Sequence, residues 1–90
     1  GKTGKNVAND LMVAAIEKGV KLFNHGQHGA CADVYEVAAL AGLKMSTARL
    51  TADQKSILTS ALQASQGSQC NTTRAWTMRR ALDRVMASND

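Results

Sequence analysis

The sequence predicts an all-α protein, a four-helix antiparallel bundle built from two helical hairpins. Three observations predict it. The 90 residues contain no proline and many alanines, a composition that favours helix over strand. Apolar residues recur at three-, four- and seven-residue spacing in separate stretches along the chain. Short Gly-, Asn- and Ser-punctuated turns divide those stretches, and short connections place successive helices antiparallel.

The first helix is expected over residues 8–24. Asn6 or Asn9 can cap it, and Asp10 suits the positive end of its dipole. Leu11, Met12, Ala15, Ile16, Gly19, Val20, Leu22 and Phe23 form its apolar side, and Glu17, Lys18, Lys21 and Asn24 the other. Gly26 is the natural left-handed stop. The second helix starts at Gly29 or Ala30 and turns Cys31, Val34, Tyr35, Ala38 and Ala41 or Gly42 inward, with Asp33 in its first turn. The pattern blurs over residues 44–50, which read as a loop or a short extra turn. Thr51-Ala-Asp-Gln54 is a capping box, so a third helix begins there with Ile57, Leu58, Ala61 and Leu62 as its stripe. Ser65 falls next on that stripe although it is polar, and Gly67 ends the helix. A polar turn containing Cys70 follows. Asn71 is expected to cap the last helix, whose stripe is Ala75, Met78, Leu82, Val85 and Met86.

Ninety residues make one domain with a thin core. With one Phe, one Tyr and one Trp the core has to be aliphatic. Residues 1–6 read as a frayed tail. The formal charge of +4 is mild and excludes no class of partner, because nucleic-acid domains are marked by charge concentrated on one face. No apolar run approaches the roughly 18 residues of a membrane span.

Gly19, Leu22, Phe23, Gly26, Cys31, Tyr35 and Ala38 stand at the spacings of a helix hairpin that resembles the tetratricopeptide repeat, over residues 12–41 approximately. The resemblance implies that a small residue and aromatics on the first helix interlock with a small residue, an aromatic and an Ala on the second. Cys31 takes the place of the usual small Ala. The same segment also looks like one found in uncharacterised exported bacterial proteins. A second stretch, residues 37–50, is similar to the helix-turn-helix of bacterial repressors. There Ala38 would be the small residue of the first helix, Gly42 the turn and Leu43 the apolar residue after it, and Ser46, Thr47 and Arg49 would open a recognition helix. The capping box at Thr51 counts against it, because it would start a new helix inside the recognition helix.

Two cysteines allow a disulfide, a metal site or two unrelated buried thiols. Cys31 and Cys70 open helices two and four, which an up-and-down bundle brings to one end, so a disulfide is expected between them. It would close a loop of about 39 residues, worth roughly 4 kcal/mol in the chain-entropy argument. Such a bond favours a periplasmic or secreted location. His25, His28, Cys31 and Cys70 form a weaker alternative as zinc ligands, since their spacing matches no common finger. No metal and no cofactor are expected.

There is no catalytic constellation, phosphate loop or paired-carboxylate frame, and the expected role is non-enzymatic. Asp33 and Glu36 read as a solvated edge, and the outer faces of helices one and two as ordinary solvated surface. Helix four differs. It carries Arg74, Arg79, Arg80 and Arg84 off its stripe, together with Trp76. Trp76 either closes the bundle edge with Arg80 stacked on it, or anchors a partner. If a protein partner or a second copy docks, Trp76, Arg79 and Arg80 are expected to meet it. The alternative function is a DNA-binding helix-turn-helix over residues 37–50.

Overall fold

Helix α1 (Val7–Asn24) ends where Gly26 takes a positive φ of 79°. The Gly26 amide donates to Phe23 O and the Gln27 amide to Leu22 O, the paired bonds that satisfy the last carbonyls of a helix. The chain reverses in three residues into α2 (His28–Lys44). A single 3-10 turn (Ser46–Ala48) and a left-handed Arg49 (φ 52°) then lead to α3 (Ala52–Gln66), and a second short turn to α4 (Asn71–Ser88). The computed structural model describes residues 7–88, and among them there is no strand. The tail expected over residues 1–6, including the candidate cap Asn6, lies outside the described residues.

The capping box forms as the sequence requires. The Gln54 amide donates to Thr51 Oγ1 and the Thr51 amide to Gln54 Oε1, at 3.1 and 2.9 Å. At α4 the expected cap moves back one residue. Asn71 is already helical, and it is the Cys70 carbonyl that accepts the first intrahelical bond, from the Arg74 amide.

Helices α2 and α4 form the centre, with α1 laid mainly on α2 and α3 on α4. The sequence of α2 shows why it is central. Cys31, Ala32, Tyr35, Ala38, Ala39 and Gly42 are all buried and point several ways around its axis, so α2 is covered on more than one side. The core is aliphatic: Met12, Leu58, Met78, Leu82 and Val85 are its large, fully buried side chains, set among many alanines. Alanine lets helices approach closely but buries little apolar area, at about 25 cal/mol per Å².

The interlock expected in the first hairpin is present as packing. A Cβ placed on Gly19 would stand 2.6 Å from Tyr35 Cζ and 2.8 Å from its hydroxyl, so only a glycine admits the Tyr35 ring against α1.

Polar side chains join the helices as well. Ser65, fully buried on α3, donates to Glu36 Oε2 on α2. Arg74 on α4 donates to the same carboxylate at 3.0 Å and to Asp33 at 2.8 Å. Glu36 is therefore not on a solvated edge, as the three-residue spacing suggested. It is the meeting point of three helices. At the other end of α4, Gln54 reaches across with Nε2 to the Val85 carbonyl and to Ser88 Oγ.

The outer faces of α1 and α2 also depart from expectation. Val13, Val37 and Leu40 are exposed, Val37 to 64%, and a shallow apolar groove between the helices is lined by Leu11, Ala14, Val34 and Ala41. Residues 37–50 do not make a helix-turn-helix. They comprise the last turns of α2, the 3-10 turn and Arg49, and the helix that Ser46, Thr47 and Arg49 were to open is absent. The left-handed Arg49 and the Thr51 cap restart the chain in a new direction.

Candidate functional site

The three aromatic residues of the chain, on three different helices, line one cleft. Phe23 comes from the last turn of α1, Tyr35 from α2 and Trp76 from α4. Val20 and Asn24 complete the α1 wall, Ala75 and Arg79 the α4 wall, and Cys31 lies inside. The cleft holds about 240 Å³. An enclosed apolar cavity of about 150 Å³ already takes a benzene ring.

Local sequence sets each wall. The Gly26 reversal folds Phe23 back over the first residue of α2, where its ring stacks on His28 with centroids 4.1 Å apart. On its other side Phe23 meets Trp76 edge to face at 5.9 Å. Trp76 nevertheless stays 48% exposed. Arg79 follows it by three residues and so shares its face of α4. One position later the helix has turned by about 100°, and Arg80 lies in a different groove, between α3 and α4, with Ser60, Thr77 and Arg84. Of the expected trio, Trp76 and Arg79 are together and Arg80 is not.

A line of interacting polar groups runs through the cleft. Asp83 accepts from Arg79 Nε at 3.2 Å. Arg79 also lies beside the Tyr35 hydroxyl and acts on it electrostatically, and the Cys31 thiol lies on its other flank. Burial pushes the Tyr35 phenol up to about 12 from its ordinary 10.0, the neighbouring Cys31 pushes the same way, and Arg79 opposes both. Burial likewise raises the Cys31 thiol, against smaller lowering effects from Tyr35 and Arg79. Near neutral pH both groups keep their protons. Neither is a base or a ready nucleophile for chemistry in the cleft.

The expected disulfide is absent. Cys31 and Cys70 are both free, one buried and the other exposed. The starts of α2 and α4 do share one end of the bundle, where His28 Nδ1 and Thr72 Oγ1 are 3.0 Å apart. What fails is direction. Cys31 sits one turn inside α2 on its buried face, beside Tyr35. Cys70 precedes α4 and points outward, toward the first residues of its own helix. Its thiol is lowered by the Thr73 hydroxyl first, then by the Thr73 and Thr72 amides.

The weaker zinc alternative fails for the same reason. His25 Nδ1 pairs with the Lys21 carbonyl at 2.6 Å on the exposed end of α1, His28 is engaged by Phe23 and Thr72, and the two thiols diverge. Among the described residues no group of three or more His, Cys, Asp or Glu side chains is placed to hold a metal.

The sequence reading missed Val20, Phe23 and Asn24 as cleft residues. A signal for Phe23 was there: in a chain with an aliphatic core, three lone aromatics on three different helices are candidates to converge.

No protein-family model, curated protein or solved structure matches this chain. Among the described residues no helix is long and apolar enough to cross a membrane.

Proposed function

We propose that this chain is a non-enzymatic helical domain that binds another protein or a second copy of itself, and that Trp76 and Arg79 form the centre of the contact. The observation that carries the proposal is the aromatic cleft. A half-exposed Trp beside an Arg, over a concave apolar floor, is the residue combination that dominates binding energy at protein interfaces. Exposed Val13, Val37 and Leu40 on α1 and α2 add apolar surface of the kind partners cover. The close fit of Gly19 and Tyr35 supports the tetratricopeptide-like reading of the first hairpin. Arg80 contributes at most from the rim, since it opens onto the α3–α4 groove. The periplasmic or secreted location drew on a disulfide, and two free thiols leave it without that support. The DNA-binding alternative has lost the helix it needed over residues 46–50.

The test pairs two measurements on the wild-type chain and on Trp76→Ala. Sedimentation across a concentration series reads self-association, and affinity capture read by mass spectrometry identifies partners. The expected outcome is an association that Trp76→Ala weakens by more than roughly 1 kcal/mol with helicity unchanged. An association that Trp76→Ala and Arg79→Ala leave intact would place the interface elsewhere and end this reading.

A further inference from the structure

The geometry points to a second capacity of the same cleft: it is a binding site for a free, single-ring aromatic carboxylate. This goes beyond the docking proposal and stands even if no protein partner exists. Phe23, Tyr35 and Trp76 present ring faces and edges from three helices, which suits a flat apolar guest. The volume of about 240 Å³ admits one substituted ring and is small for a drug-sized molecule.

The charge comes from Arg79, the cationic residue that lines the cleft. Its carboxylate neighbour Asp83 occupies the Nε edge, at 3.2 Å, and is itself half exposed. The Tyr35 hydroxyl is a second neighbour. A guanidinium has five N–H donors, so others remain for an acceptor arriving from the cleft mouth. Asn24 adds an amide at the rim. The formal net charge of +4 favours the approach of an anion. Cys31 on the inside presents a protonated thiol, a soft and weakly polar surface compatible with a ring.

Trp76 is the only tryptophan, so its fluorescence reports on the cleft. The experiment titrates the full chain with phenylacetate and, in parallel, with its neutral analogue phenylacetamide. Amide chemical shifts of Gly19, Phe23 and Ala75 serve as an independent readout. A guest of this size is expected to bind one to one with a dissociation constant of about 1 mM. Phenylacetate should bind about tenfold more tightly than phenylacetamide. Arg79→Gln should remove that preference and keep the weaker ring binding. Val20→Phe, at a wall position already 36% exposed, should fill the cleft and abolish binding of both compounds without loss of helicity. Non-saturable titrations, equal affinity for acid and amide, or binding that survives Val20→Phe each overturn the inference. None of those results bears on sedimentation or capture, so the docking proposal fails or stands separately.

Discussion

Helix α4 has two seams, and they are built differently. Against α3 its core side is closed, although shallow grooves run along the outer side. Leu58, Leu62, Leu82 and Val85 are no more than 6% exposed there, and Gln54 ties the start of α3 to the end of α4. Against α1 it is propped open, because Phe23 and Trp76 meet edge to face and leave the cleft beside them. The difference teaches what each residue class does in an alanine-rich bundle. Aliphatic side chains interdigitate and seal. Large rigid rings that meet at their edges hold helices apart, and concave surface remains. The sealed seam holds the fold, and the open one is where a guest can be held.

The largest expected effect comes at the inner wall of the open seam, where Tyr35 of α2 packs on α1. Gly19→Ala puts a methyl group within 2.6 Å of Tyr35 Cζ, and the ring, 2% exposed, is packed on its other sides. Helix propensity gains about 1 kcal/mol from this change. Overpacking of up to about 3 kcal/mol outweighs it, for a net loss of roughly 2 kcal/mol by chemical denaturation. A more stable Gly19→Ala protein would show that the Tyr35 ring has room to move and that the cleft is not rigidly walled. Next is Arg74→Met, which leaves the Glu36 carboxylate, 14% exposed, with the Ser65 hydroxyl as its hydrogen-bond partner. Isolating a mostly buried charge in this way should cost about 2 kcal/mol. The double change Arg74→Met with Glu36→Met should cost less than the single one, and a larger cost would mean that the apolar pair does not fit between the helices.

How much of this was legible depends on the kind of signal. The capping box at Thr51, the Gly26 reversal and the four apolar stripes are local patterns, and the elements form where those patterns place them. Relations between helices were less legible. The shared end of α2 and α4 followed from topology, but the directions of Cys31 and Cys70 depend on helix phase and on which side each helix presents, and a change of one residue rotates a side chain by about 100°. The same rotation separates Arg80 from Arg79. Ser65 and Glu36 were individually visible as polar residues near a stripe. Their meeting depends on α2 and α3 lying close, and no local pattern encodes that.

Gln54→Ala tests the sealed seam with a smaller effect. It removes half of the capping box and the reach to Val85 and Ser88. A loss of about 1 kcal/mol is expected. Amide hydrogen exchange should show opening confined to the first turn of α3 and the last turn of α4, while the Tyr35 environment stays unchanged. If protection falls equally around Gly19 and Tyr35, the two seams are one cooperative unit and the contrast between them is false.

The smallest effect is absent at neutral pH and emerges only in alkali. Tyr35 is the only tyrosine, so its phenolate absorbance can be followed without interference from a second one. Its folded pKa is about 12 against an ordinary 10.0, chiefly because burial disfavours the phenolate. Below pH 10 both the folded and the unfolded chain hold the proton, and its contribution to stability is fully present. Between pH 10 and 12 the unfolded chain releases the proton first, so stability must fall as pH rises through that window. The folded protein should therefore titrate near 12 and the denatured protein near 10. Two variants sharpen the reading. Cys31→Ala removes a contact that raises the value, so its midpoint should move down. Arg79→Gln removes one that lowers it, so its midpoint should move up. Opposite shifts from the two walls of one cleft would show that Cys31, Tyr35 and Arg79 are joined as described. A folded midpoint at 10 would mean that water reaches the ring and that the open seam is wider than its aromatic walls suggest.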